Sequence, residues 1–240
     1  MQSLSFGDKV TFGIFVFISL IMAFCTSMTF CEDGEVSRNE KELLAQLQTE
    51  PDNDSLRMTV AKIYLDKGKQ ADAIEVIEQG LYGRNSFRLH FELCPLYLDI
   101  DRPNRAIIHA KEAVRLRPDH AIAVFNLGLA YGRKGLTRDA IEMFHRAIEL
   151  DGEKPEYYYN LGVAYYTITD YDKALDFYRK TIELDPQDAR AYFNTGTIYN
   201  ILDKKDKAIS YLEKALDILG PFTPAGEKTI EFIREIRNRQ

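Results

Sequence analysis

Three asparagines stand at equal steps along this 240-residue chain, at Asn126, Asn160 and Asn194. A carboxamide donates and accepts at once, so a row of them can hold the main chain of an extended peptide whatever its side chains. An aromatic ring precedes each one, at Phe125, Tyr159 and Phe193, and the same step backwards reaches Phe91. Such rings offer apolar pockets. Together Phe91, Phe125, Tyr159, Phe193, Asn126, Asn160 and Asn194 form a candidate peptide-binding groove.

Other chemistry is scarce. No glycine-rich phosphate loop ends in Gly-Lys-Ser/Thr, and the four histidines, His90, His109, His120 and His145, lack the paired spacing of a zinc-binding helix. No serine has a nucleophile-elbow context. The acid pairs Asp170 with Asp172 and Asp203 with Asp206 fall in turns, where they cap the following helix. Neither an enzyme nor a metal or cofactor site is expected. A net charge of −6 and the lack of a dense Lys/Arg stripe argue against a nucleic-acid partner. Arg234, Arg237 and Arg239 alternate with Glu231 and Glu235, the pattern of a solvated helix face. Cys25, Cys31 and Cys94 make no disulfide framework. Cys94 falls where helix packing needs a small side chain, and Cys31 alone could bridge two chains in an oxidising compartment.

The elements that carry the asparagines repeat with them. Leu127-Gly128, Leu161-Gly162 and Thr195-Gly196 follow the three amides, then Tyr131, Tyr165 and Tyr199, and then Ala140, Ala174 and Ala208. Pro118, Gly152, Pro186 and Gly220 punctuate the series. A period of about 34 residues signals a stacked helical array. At about 100° per residue, Val124, Leu127, Gly128 and Tyr131 share one stripe, and Ala140, Phe144 and Ala147 share another beyond the break from Arg133 to Thr137. The unit is therefore an antiparallel helical hairpin whose small residues let the backbones approach. Each hairpin leaves an apolar face that only its neighbour covers, so stability accrues along the stack. Ile122, Phe125, Asn126, Leu129 and Arg133 lie on the opposite side of the first helix.

This pattern resembles the tetratricopeptide repeat (TPR), with an aromatic, Leu-Gly, Tyr, Ala, aromatic, Ala and Pro at fixed offsets. Its best copies are 121–154, with Leu127, Gly128, Tyr131, Ala140, Phe144 and Ala147, and 155–188, with Tyr158, Leu161, Gly162, Tyr165, Ala174, Tyr178 and Pro186. The copy 189–220 keeps Tyr192, Gly196, Tyr199, Ala208 and Ala215. In 87–120, Leu93, Tyr97, Ala106, Ala113 and Pro118 match, while His90 and Cys94 take the aromatic and glycine positions. The copy 54–86 aligns through Ala61, Tyr64, Ala73 and Gly80 and is one residue short. The resemblance implies an all-α solenoid of about five hairpins over 54–220, whose first helices line a concave groove. The asparagine row is similar to that of the repeats of O-linked N-acetylglucosamine transferases, though no transferase domain is present here. Lysine and arginine, which a clamp for a chaperone's C-terminal carboxylate would use, are absent from the ladder positions. The plainer alternative is that Asn before Leu-Gly is ordinary in TPR units and the aromatics pack between neighbouring helices.

Flanking segments complete the plan. After a tail at 1–9, residues 10–31 contain no charge and would span about 33 Å as a helix, enough for a bilayer core. A membrane anchor is expected, with a cleaved signal peptide as the alternative. Lys9 before the segment and Glu32, Asp33 and Glu35 after it place the repeats on the extracytoplasmic side. Residues 32–53 read as a stalk and a capping helix with Leu43, Leu44 and Leu47 at helical spacing. Residues 221–240 read as a terminal helix that packs Ile230, Ile233 and Ile236 on the last repeat. The expected function is that of a membrane-anchored adaptor binding an extended segment of another protein. The alternatives are a self-associating homo-oligomeric scaffold and a secreted TPR protein.

Overall fold

Helix starts repeat as the sequence does. The computed structural model describes residues 39–238, so the expected anchor at 10–31 lies outside the described residues. Two compact units divide the chain after Tyr82. Every described regular element is an α-helix.

In the first unit, α1 spans 39–49 and is followed by the hairpin of α2 (Asp54–Asp66) and α3 (Gln70–Gln79). Leu47, Val60 and Val76 are buried together, with Leu43, Leu44, Leu56 and Tyr64 packed around them. The buried Arg57 guanidinium donates to the Val76 and Pro51 carbonyls at 2.7 and 2.8 Å, tying the hairpin to its entry turn.

The second unit contains four hairpins: α4 (Phe87–Asp99) with α5 (Pro103–Leu116), α6 (Ala121–Arg133) with α7 (Thr137–Leu150), α8 (Pro155–Thr167) with α9 (Tyr171–Leu184), and α10 (Ala189–Ile201) with α11 (Lys205–Leu219). A final helix, α12 (Pro224–Asn238), packs on α11. Each second helix packs on the next first helix, and α6 also touches both α4 and α8. The first helices α4, α6 and α8 therefore lie side by side.

Proline and polar caps set the helix starts. Pro103 and Pro155 open α5 and α8, where a missing N–H does no harm. Ser86, His120, Asp170 and Asp188 accept from the first-turn N–H groups of α4, α6, α9 and α10. Asp203 does not cap α11; the N-cap there is Lys204, and Asp203 instead takes φ +56°. It shares that left-handed turn with Gly68, Asp101, Gly135 and Thr169, one repeat apart, so three of these five turns force a side chain into a backbone region that favours glycine.

Close approach inside each hairpin explains the repeated glycine. A Cβ on Gly128 would sit 2.6 Å from the Phe144 ring, one on Gly162 2.7 Å from Tyr178, and one on Gly196 2.8 Å from Leu212. At the equivalent place in the earlier hairpin the sizes trade: Cys94 stands for glycine, and the residue one period before Phe144 is Ala110. Both are buried. On α12 the buried row is Gly226, Thr229, Ile233 and Ile236, with Ile230 only half-buried. Gly226 is there because its neighbour is the Gly220 carbonyl, which a Cβ would meet at 2.0 Å.

Candidate functional site

In the second unit, residues of α4, α6 and α8, together with Thr137, Ala140 and Phe144 of α7, enclose a trough of about 560 Å3. Pro95, Leu129 and Val163 form one row of its lining, and Asp99, Arg133 and Thr167 form a second row one helical turn on. Within each row the members are one repeat apart. Leu129 and Arg133 belong to the face expected from sequence. Pro95 and Val163 were accessible by the same step from Leu129, but they differ in type from it and so leave no visible echo.

The seven candidate residues are all half-buried on first helices, yet they divide. Asn160 lines the trough. Tyr159, Phe193 and Asn194 line a second pocket of about 290 Å3, closed by Ala225, Lys228 and Thr229 of α12. Phe91, Phe125 and Asn126 line neither.

Ring contacts explain that division. Phe125 packs on Tyr157 of the following repeat at 4.6 Å between centroids and on Phe144 of its own at 5.5 Å. Phe91 meets the edge of His120 at 5.3 Å, and Phe193 packs on Phe232 at 6.0 Å. Tyr159 packs on Tyr178 at 5.8 Å and is covered by the Arg190 guanidinium at 4.3 Å. Phe125 and Phe193 thus pack on a ring of the following structural unit, Phe91 reaches the N-cap residue of α6, and Tyr159 packs on a ring of its own repeat while Arg190 of the next covers it. Tyr159 and Phe193 also wall a pocket.

The amides differ as well. Asn194 donates through Nδ2 to the hydroxyls of Tyr159 at 3.3 Å and Tyr178 at 3.2 Å. Asn160 donates back to the Glu156 carbonyl of its own helix at 2.8 Å. The Asn126 backbone carbonyl accepts from Cys94 Sγ at 3.7 Å. The free acceptor of Asn160 and Asn194 is therefore Oδ1, a group suited to a main-chain N–H.

Burial favours the neutral form of two tyrosines, Tyr178 and Tyr157. Burial above all, with Tyr159 nearby, pushes Tyr178 far above its ordinary range, against the lowering effect of the Asn194 bond. Burial likewise raises Tyr157, helped by Asp151 and Glu156. Cys94 is pushed up to about 12 by burial, which leaves an inert thiol. Asp188 is 6% exposed; burial would raise it, but the Arg190 side chain and the Ala191 and Arg190 N–H groups outweigh this and hold it low.

One polar pair was not legible in the sequence. His90 and His109, buried on α4 and α5, meet Nδ1 to Nδ1 at 3.0 Å, so one ring supplies the N–H and the other accepts. They are two ligands rather than a metal centre: no group of three His, Cys, Asp or Glu side chains converges among the described residues. A further depression of about 480 Å3, containing Tyr192, Tyr199 and Tyr211, lies among α9, α10 and α11.

Geometry of this kind defines a helical-hairpin repeat protein. Tetratricopeptide repeat models match residues 91–136, 127–189 and 177–210. The crystal structure of MamA is 31% identical, with a TM-score of 0.63, over 72% of this chain and 97% of that one. Two more distant structures share the fold. YrrB, described as a TPR protein with an unusual peptide-binding site, is 18% identical with a TM-score of 0.62, over 79% of this chain and 97% of that one. Pseudomonas aeruginosa pilF is 18% identical with a TM-score of 0.66, over 85% and 93%. No curated protein matches the chain. The chain belongs to the tetratricopeptide repeat family, whose stacked hairpins present extended concave surfaces for protein interaction.

Proposed function

We propose that this chain is a membrane-anchored TPR adaptor that holds an extended segment of a partner protein along the inner face of its repeats. One observation carries the reading: the trough of about 560 Å3 whose lining repeats from helix to helix as Pro95, Leu129 and Val163. A periodic apolar floor matches an extended chain, which presents side chains at regular intervals, better than it matches a single compact ligand. Asn160 at the edge of that floor, and Asn194 further along, offer Oδ1 to the segment's N–H groups. The peptide-binding site named for YrrB supports the same use of this fold. Residues 10–31 supply the anchor, and the charges of Lys9, Glu32, Asp33 and Glu35 favour an extracytoplasmic array. Among the described residues, no helix is long and apolar enough to cross a membrane.

Peptide-array binding by the full chain tests this reading. Changing Asn126, Asn160 and Asn194 together to Ala removes up to two useful acceptors and should weaken binding by about 1–3 kcal/mol. Leu129→Glu places a charge on the apolar floor and should abolish binding of apolar segments. Unaltered binding in both variants would refute the groove. Protease access to the repeats in sealed membranes tests the sidedness separately.

A further inference from the structure

The pocket where α12 meets the first helices of the last two repeats is chemically unlike the trough. Its walls are the rings of Tyr159 and Phe193 with Ala189, Leu219 and Ala225, and its volume is about 290 Å3. That is room for one side chain rather than for a cofactor. Its polar lining is all cationic or neutral, namely Arg190, Lys228, Asn194 and Thr229, in a chain whose net charge is −6.

Three of those four groups are already engaged. Thr229 donates to the Ala225 carbonyl at 2.8 Å. Arg190 lies over the Tyr159 ring and donates through Nε and Nη2 to the two Asp188 oxygens at 3.0 and 2.6 Å, so its charge is matched. Both Asn194 bonds leave from Nδ2, which turns its acceptor into the remaining useful end. Lys228 is exposed, and no carboxylate among the lining residues pairs with it. An apolar hole therefore sits beside one acceptor and one unmatched ammonium group.

We propose that this pocket takes an apolar side chain of an internal, extended partner segment, with the Asp or Glu side chain two residues away, on the same face of the segment, on Lys228 and a segment N–H on Asn194 Oδ1. This rests on the groove reading above and adds the partner's chemistry: an apolar residue with an acid two positions away. The ligand's carboxylate completes the charge the pocket lacks, and its N–H meets the acceptor that the two tyrosines leave over. Rigid walls help, because Tyr159 is held by Arg190 on one face and by Asn194 at its hydroxyl.

The test uses the full chain and three pools of acetylated, amidated dodecapeptides with Leu-x-Glu, Leu-x-Gln or Leu-x-Lys at the centre, named below by their two fixed residues, and the other positions randomised. Blocked ends remove terminal charges, and a fourth pool with Leu-Gln and a free C-terminus separates a terminal carboxylate from a side-chain one. The expected result is that the Leu-Glu pool binds about fivefold better than Leu-Gln. Lys228→Ala should erase that ratio, and Lys228→Glu should turn it in favour of Leu-Lys. Lys228 is exposed, so neither variant opens the core, and unchanged circular dichroism checks this. Equal binding of Leu-Glu and Leu-Gln, an unaltered ratio in Lys228→Glu, or preference for the free C-terminus overturns this inference and leaves the groove standing. Failure of every pool to bind the native chain overturns both.

Discussion

Gly162→Ala and Gly132→Ala are the same substitution on equivalent helices, and the structure gives them opposite signs. A Cβ on Gly162 would lie 2.7 Å from Cε1 and 2.8 Å from Cδ1 of Tyr178, well inside contact distance. The Tyr178 ring is fully buried, packs on Tyr159, and accepts the Asn194 hydrogen bond, so it has no free direction in which to yield. Overpacking of this kind costs about 1–3 kcal/mol. Displacing the hydroxyl forfeits about 1 kcal/mol more, and the helix gains about 1 kcal/mol from alanine. The net is a loss of about 1–3 kcal/mol. On Gly132, by contrast, a Cβ meets only the Ala140 Cβ, at 3.9 Å, and the change should stabilise by about 0.4–1 kcal/mol. Thermal and urea unfolding followed by circular dichroism read both. Because Tyr178 positions Asn194, Gly162→Ala should also weaken peptide binding, whereas Gly132→Ala should leave the Asn194 pocket intact. Equal stabilisation by the two alanines would show that the ring has room and would refute the packing argument.

Other perturbations follow from single contacts. Thr169 has φ +63°, a strained setting for a β-branched residue, so Thr169→Gly should raise stability by about 1 kcal/mol, while Gly135→Thr one repeat earlier should lower it by a similar amount; unfolding midpoints decide. Ala110→Phe alone should destabilise, and adding Cys94→Gly should restore much of the loss, a coupling that a double-mutant cycle measures and that additive effects would disprove. Burial holds His90 below its ordinary value of 6.5, with Glu112 drawing it up and Arg115 pressing it down. The unfolded chain then binds more protons just below that value, so stability is full above it and declines as pH falls through it. His90→Leu should flatten the fall in melting temperature between pH 7.5 and 5.5, and an unchanged slope would remove His90 as its source.

Repeat spacing was the strongest message in the sequence, because one packing solution recurs. Gly128, Gly162 and Gly196 must admit a large neighbour, Pro155 must open a helix, and the first helices begin at 54, 87, 121, 155 and 189. The 33-residue first step matches the copy that runs one residue short. Periodicity assigns a residue to a face, however, and does not say what its side chain bonds. Asn126, Asn160 and Asn194 occupy equivalent positions but have three different environments, since only Asn194 has tyrosine hydroxyls within reach. The aromatic ladder was legible as a ladder, while its packing into the next repeat depends on contacts such as Phe125 with Tyr157 that no spacing rule specifies. The trade of Cys94 against Ala110, and the meeting of His90 with His109, likewise join residues on separate helices. Asp203 shows the reverse error, where a residue type suited to capping instead fills a left-handed turn.

Photo-crosslinking of a bound peptide tests the central claim most directly. A benzophenone side chain is placed in turn at Leu129 and Val163 on the trough floor, and at Glu142 and Asp176 on the exposed faces of α7 and α9. An extended segment lying along the first helices should be captured from 129 and 163 and escape from 142 and 176. Capture from 142 and 176 with none from 129 and 163 would contradict it.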